Sequence, residues 1–300
     1  MLNTDSKDIT TRPEAQLRYG DRTYRFQGFM AGDYIFEQVK KLGTYYELAT
    51  LEFIKSRRLS GTYVDVGANV GNHSLFFLQE TNCDRLVAIE GNQSLIPIWN
   101  LNIHSNLQCI KPYRLVNEFV SNEKELFFNA DPGENIGSSF LSRVRLGEDS
   151  VEIKARSLDS MLSEIQDVTL LKVDVEGHEV EVLKSAEHIL RTQSPEICAE
   201  ALFTSEEDLV RFLANFGYLP LASLSNGNLY FSKFPGLART GVRCMAWLAY
   251  LFPQPLAYRI IWRLVRYGAV FSGLLPLKMF RQFQPNYHSL LIALGLENSE

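Results

Sequence analysis

Several features are missing from this chain of 300 residues, and each absence removes a class of protein. The four cysteines, Cys83, Cys109, Cys198 and Cys244, never fall in a C-x-x-C pair. That argues against a zinc site and leaves them as small apolar filler in a reducing compartment. The N-terminus, Met1 to Asp8, is polar and has no signal-peptide core, so the expectation is a cytoplasmic protein. Positive charge is in deficit. The formal net charge is -5, and no basic run interleaved with aromatics occurs in the first two-thirds, so no nucleic-acid partner is expected. The dinucleotide fingerprint G-x-G-x-x-G is also missing, which disfavours a nucleotide-dependent oxidoreductase. What remains is a chain that is 46% hydrophobic, enough for one sizeable core with an extension.

The most informative stretch runs from Gly61 to Gly71. Thr62 to Val66 is β-branched and aromatic apart from Asp65, as in a short buried strand. Gly67, Ala68, Asn69, Val70 and Gly71 then form a tight turn, and the segment from His73 can continue as a helix. Glycines let backbone approach a ligand closely, and a helix start offers free N–H groups. The pattern reads D-x-G-x-N-x-G, with an acid two residues before the first glycine. That acid can accept from an ammonium group and sits badly beside a pyrophosphate. S-adenosylmethionine, with a cationic amino-acid end and no phosphate, suits the arrangement. The next strand, Arg85 to Glu90, ends in a carboxylate about 20 residues past the turn, where doubly wound folds bind the ribose hydroxyls of an adenosine ligand.

A second centre lies between Val168 and Glu179. A β-rich run ends at Asp174 and Glu176, and Gly177 then turns the chain into a helix opened by His178. In an open parallel sheet, ligands sit beyond the carboxyl ends of the strands, so Asp174 and the turn after Asp65 should share a crevice. An acid there can orient a hydroxyl, take its proton or hold a divalent ion. Asp174, Glu176 and Glu200 could converge as an oxygen-rich cluster for magnesium or calcium. The alternative is that Glu176 and Glu179 serve the helix start, where negative charge is favoured.

From Thr62 onward, strand patterns (62–66, 85–90, 107–115, 168–174, 195–201) alternate with helical ones (72–80, 94–105, 178–190, 205–216), which implies a largely parallel sheet covered on both faces. Ahead of it, 18–29 alternates as a hairpin would. Residues 33–58 look helical, with a break available at Gly43, and could lie over the mouth of the site with Tyr45, Tyr46 and Glu47 towards it. Glu125–Asn129 and Val151–Arg156 are short strand-like pieces around a polar insertion, Asp131–Ser139, that can serve as a functional loop or a plain one. Asn226-Gly227 between apolar runs marks a closing hairpin.

Taken together, Tyr63 to Ser74, Ile89-Glu90-Gly91-Asn92, Arg156-Ser157-Leu158-Asp159 and Leu171 to Glu179 with Leu183-Lys184 resemble the FkbM-type S-adenosylmethionine-dependent methyltransferases over about residues 45–220. The resemblance implies an α/β fold of class I methyltransferase (Rossmann-like) type, a doubly wound sheet of seven strands. It implies an O-methyltransferase acting on a hydroxyl of a sugar, glycan or secondary metabolite. By it, Asp65, Gly67, Asn69 and Gly71 would hold the methionine end of the cofactor and Glu90 the ribose. Asn117 is offered for the adenine edge. Asp174 and Glu176 would stand by the acceptor, with His178 as a further catalytic candidate. Gly91 departs from the family, which often has proline there.

Residues 235–300 stand outside this pattern and are expected to form a C-terminal helical extension. Seven basic residues face two acids there, so the tail carries +5 of formal charge and the first 234 residues -10. Arg259, Arg263 and Arg266 fall on one helical face beside a wide apolar arc, as in interfacial helices. No uncharged run within the tail exceeds the 15 residues of Cys244–Tyr258, against roughly 18–20 needed to span a bilayer. Peripheral membrane contact through 236–300 and a small helical subdomain that packs on the core or self-associates are therefore the alternatives. The expected division is 1–58 as an N-terminal segment with a lid helix, 59–234 as the methyltransferase domain and 235–300 as the basic tail. A non-catalytic, membrane-associated assembly module that keeps the fold stands as the competing reading.

Overall fold

The local signals produce their elements in the expected order, and side-chain parity along the strands decides what each face of the sheet carries. A computed structural model describes residues 13–28, 33–106, 111–123, 126–129, 140–142, 145 and 150–233. The first hairpin pairs β1 (Glu14–Tyr19) with β2 (Arg22–Gln27). It begins earlier than expected because its turn is at Gly20 and Asp21, with Gly20 at φ 56°. The helical pattern over 33–58 is two helices, α1 (Tyr34–Leu42) and α2 (Leu48–Ser56). Asp33 caps α1 by accepting from the Phe36 N–H at 2.9 Å, and Gly43 ends it at φ 64°.

The body follows as β3 (Gly61–Val66), α3 (Asn72–Glu80), β4 (Cys83–Ile89), α4 (Ile96–His104) and β5 (Tyr113–Val116). Short strands come next: β6 (Phe119–Val120), β7 (Leu126–Asn129), β8 (Phe140–Ser142), β9 (Val151–Ile153) and β10 (Ala155–Arg156). The second half is α5 (Leu158–Met161), β11 (Val168–Val173), α6 (Glu179–Lys184), α7 (Glu187–Thr192), β12 (Glu196–Glu200), α8 (Glu206–Ala214), β13 (Tyr218–Ser223) and β14 (Asn228–Lys233). Two boundaries differ from the sequence pattern. Of the strand expected over 107–115, β5 starts only at Tyr113, and 107–110 lie outside the described residues. The helix expected over 178–190 is interrupted at Ser185 and Ala186. The Ser185 hydroxyl donates to the Val182 carbonyl at 2.7 Å and accepts from the Leu158 N–H at 3.0 Å, tying the break to α5. The insertion 131–139 and the tail 235–300 also lie outside the described residues.

The central sheet has seven strands in the order β13-β14-β12-β11-β3-β4-β5. Strands β12, β11, β3, β4 and β5 are parallel, while β14 runs antiparallel to both β12 and β13. This is the class I, Rossmann-like arrangement. The β13–β14 turn places Asn226 at φ 55° and Gly227 at φ 72°, the left-handed pair that Asn-Gly supplies readily. Successive strand residues point to opposite faces. Val64, Val66, Val87, Ile89, Leu171 and Val173 accordingly enter one core, against α5 to α8. Tyr63, Leu86, Ala88, Leu170 and Cys198 enter the other, against the N-terminal hairpin, α1 to α4 and the turn. Asp65 and Lys172 are register partners on adjacent strands and, by the same parity, belong to the second face. Among the described residues no helix is long and apolar enough to cross a membrane.

Candidate active site

The glycine turn after β3 is shaped by close contact with the end of β11. A Cβ on Gly67 would lie 1.7 Å from the Asp174 carbonyl oxygen, and the residue is at φ 81°, so glycine is required there twice over. The Gly67 and Ala68 N–H groups donate to the Ile89 carbonyl at 3.0 and 3.1 Å, locking the turn onto the end of β4. Asn69 is at φ 49°, and its N–H donates to Glu90 Oε2 at 2.8 Å. The other Glu90 oxygen accepts from the Asn92 N–H at 2.7 Å. Burial pushes the Glu90 carboxyl up to about 7 against the pull of these two amides. Gly71 opens α3 at φ 91°, with the Trp99 ring 3.0 Å from where its Cβ would be.

Asp65 sits behind this turn with no exposed surface. Its Oδ2 accepts from the Ser74 hydroxyl at 2.6 Å, and Trp99 Nε1 donates to that hydroxyl at 3.0 Å. Asp65 Oδ1 is buried without a hydrogen-bond partner, and burial raises its carboxyl. Asn117 is placed differently from the expectation. Its amide donates to the Glu90 and Gly91 carbonyls at 2.8 and 3.2 Å, bracing the end of β4. It is not among the residues lining the cleft.

At the end of β11, Asp174 Oδ2 accepts from Lys172 Nζ at 2.8 Å. Burial works against the Asp174 charge, but the Lys172 ammonium outweighs it and holds the carboxyl below the usual range. Burial also works against the Lys172 charge, and Asp174, Glu47 and Asp65 reverse that and hold it above the usual lysine range. Glu176 is at φ 53°, and burial with the neighbouring Asp174 charge pushes it up to about 7. Glu200, at the end of β12, is pushed up to about 9 by burial and then by Asp174. The loop itself is braced by Glu179, whose Oε1 accepts from the Val175 and Gly177 N–H groups at 3.0 and 3.1 Å and whose Oε2 accepts from the Thr204 hydroxyl. His178 is buried, with Nε2 3.1 Å from the Ser121 hydroxyl.

Glu47, expected towards the mouth of the site, is joined there by Asn72, His73 and Lys172, which the sequence did not single out. Asn72 clamps the backbone of Tyr46, accepting from its N–H at 3.1 Å and donating to its carbonyl at 3.0 Å. The next residue on each side, Glu47 and His73, are thereby set face to face, with Glu47 Oε2 3.2 Å from His73 Nε2. Their ligand atoms and one from Asp174 lie within 4.8 Å of one another. Among the described residues this is the trio that gathers, and Glu176 and Glu200 are not part of it. Lys172 had a signal in the sequence, as a lone charge in an otherwise uncharged buried strand two residues before Asp174.

These groups surround a cleft of about 760 Å³, within the ordinary range for a small-molecule site. Gly67 to Asn69 and Glu90 line it together with Asp174, Glu176, His178 and Glu200. Tyr34, Tyr46, Phe119, Phe128, Leu202 and Phe203 give it apolar walls. The family described as Methyltransferase FkbM domain matches residues 65–220. Among solved structures, the methyltransferase FkbM of Methylobacillus flagellatus KT is 20% identical with a TM-score of 0.41. That match covers 58% of this chain and only 44% of that one. M. capricolum TrmK in complex with S-adenosyl-homocysteine is 10% identical over 75% of this chain and 98% of that one, with a TM-score of 0.36. No curated protein matches the chain.

Proposed function

The chain belongs to the FkbM methyltransferase domain family, and from that premise we propose that it moves a methyl group from S-adenosylmethionine to a hydroxyl oxygen of a sugar, glycan or secondary metabolite. One observation carries this reading. The glycine turn made for close backbone approach and the acid at the end of β11 touch each other, since Gly67 has room only for hydrogen against the Asp174 carbonyl. Gly67 to Asn69 and Asp174 also line one cleft, so a ligand on the turn shares that cleft with Asp174.

The residues fit the cofactor. Gly67 to Gly71 would receive its amino-acid end, with the unpartnered Asp65 Oδ1 as the buried acceptor behind. Glu90, already at the cleft wall, would accept from the ribose hydroxyls. S-adenosylmethionine supplies an electrophilic methyl on a sulfonium. The protein then acts mainly by positioning the acceptor. Asp174, ionised beside Lys172, accepts a hydrogen bond from the acceptor hydroxyl and fixes its direction. Glu176, with a carboxyl pushed up to about 7, is the group matched to take the proton near neutral pH. His178 lines the same cleft.

Calorimetric titration with S-adenosylmethionine, beside Glu90→Ala and an NAD control, tests the cofactor. Saturable binding is expected. The variant should bind roughly 10–100-fold more weakly, as loss of hydrogen bonds to a charged group implies. NAD should give no signal. Asp174→Ala should keep cofactor binding and lose S-adenosylhomocysteine release on a panel of hydroxyl acceptors. Absence of S-adenosylmethionine binding by the intact protein would refute the reading.

A further inference from the structure

Asp65 and Lys172 bring charge to a face of the sheet whose core is largely apolar, and a polar group buried there needs a partner. Glu47 is brought there in a left-handed backbone conformation, φ 56° and ψ 34°, that a non-glycine residue holds only when its surroundings dictate it. One of its oxygens is fixed. Asn228, itself fully buried, donates from Nδ2 to Glu47 Oε1 at 2.9 Å. The other, Oε2, is buried and has no hydrogen bond, although His73 Nε2 is only 3.2 Å away. His73 Nε2 is likewise buried without a hydrogen bond. Two strong polar atoms thus face each other closely in a geometry that does not join them. The Glu47 side chain is 2% exposed and the His73 side chain 11%.

The supports around these atoms are already built. The His73 ring lies stacked on Phe77, with centroids 6.2 Å apart and planes 23° apart. Lys172 fixes Asp174 through Oδ2, and Asp174 brings a third ligand atom within 4.8 Å of the other two. A metal ion about 2.1 Å from both Glu47 Oε2 and His73 Nε2 would see them at an angle of about 100°, within what tetrahedral and octahedral ions accept. The donor set is one imidazole and two carboxylates. It suits a first-row divalent ion such as manganese or zinc better than calcium or magnesium, which favour oxygen alone.

We propose that Glu47, His73 and Asp174, which all line the cleft, form a binding site for one divalent transition-metal ion. Three protein ligands leave coordination positions open, and these face the same cleft as the glycine turn. Resting on the methyl-transfer reading above, the ion's role is to hold the acceptor oxygen against Asp174 and to favour loss of its proton. The site differs from the oxygen-only cluster of Asp174, Glu176 and Glu200 that the sequence suggests.

The test is equilibrium dialysis of the full chain against manganese and against zinc, with bound metal counted by elemental analysis and manganese followed by electron paramagnetic resonance. One ion per chain is expected for at least one of the two metals. His73→Ala and Glu47→Gln should each weaken binding by about 100-fold or more, beyond the 10–100-fold typical of losing a group that only supports a ligand. Glu47→Gln keeps an oxygen for Asn228, and its melting temperature reports that the fold is intact. No bound metal in the intact protein would overturn the site. So would equal binding in the intact protein and both variants, or loss in Glu176→Gln and Glu200→Gln with retention in His73→Ala. Titration of the same samples with S-adenosylmethionine separates the two readings. Cofactor binding without metal removes the ion alone, and metal binding without cofactor removes the methyl-transfer reading while the site stands.

Discussion

Lys172 is the group whose removal most directly tests how this site is held together. It has no exposed surface, and its ammonium lies 2.8 Å from Asp174 Oδ2. Lys172→Met keeps most of the apolar stem and deletes the charge. Breaking a buried pair by removing one partner costs about 3–5 kcal/mol, because the remaining charge is left uncompensated. The Asp174 side chain is 25% exposed, so water can partly rehydrate it, and the lower end, about 3 kcal/mol, is expected. For a domain of this size that is roughly a 6–12 °C fall in melting temperature.

The pH dependence has a definite sign. In the intact protein the Asp174 carboxyl is held below its unfolded value, so the pair contributes fully above the unfolded aspartate range and less as pH falls through the folded value. Without Lys172, burial is left as the main influence and pushes the same carboxyl up. The deficit of the variant should be largest near pH 7–8 and shrink as pH falls toward about 4, where aspartate protonates in the unfolded chain too. Urea unfolding at pH 8, 6.5 and 5 reads this directly. Asp174→Asn added to Lys172→Met should recover part of the loss. Unfolding free energies of Lys172→Met and the intact protein within about 0.5 kcal/mol at neutral pH would refute the reasoning, since ordinary surface changes are that small. So would a double variant no better than the single.

Two further outcomes follow from the site geometry. Gly67→Ala would drive a methyl to 1.7 Å from the Asp174 carbonyl at a left-handed φ, and should cost about 3 kcal/mol or more together with cofactor binding. Gly20→Ala, at a similar φ with nothing within 4 Å, should cost only the backbone term of about 1–2 kcal/mol, so equal melting temperatures for the two would count against the packing argument. For Glu176, a carboxyl pushed up to about 7 is a base only above that pH, so kcat/KM should climb through about pH 7 and then level. Glu176→Gln should remove that limb and lower the rate by about 10²-fold. An unchanged profile in the variant would assign the base elsewhere.

What the sequence revealed and what it concealed divide along one physical line. The turn from Gly67 to Gly71, the acid at Glu90 and the run into Asp174 are local patterns, and local backbone needs wrote them: left-handed positions, close strand approach and a helix start. Lys172 was readable in principle as well. Strand parity puts it on the face of Asp65, and the β3–β11 register then makes the two neighbours. Asn117 shows where locality fails. An asparagine just past a strand can turn towards a ligand or back onto the chain, and only the position of the Glu90 and Gly91 carbonyls decides it. The meeting of Glu47 and His73 is further still from any local signal. It requires the α1–α2 segment to dock on α3, which the edge-on packing of Tyr19, Tyr45 and Phe76 and the two-way clamp of Asn72 on Tyr46 bring about. No periodicity in 33–58 carries that information, because the same apolar spacing would pack against many surfaces. The polar residues at the junction, Glu47, Asn72 and His73, mean something only once that packing has chosen the surface.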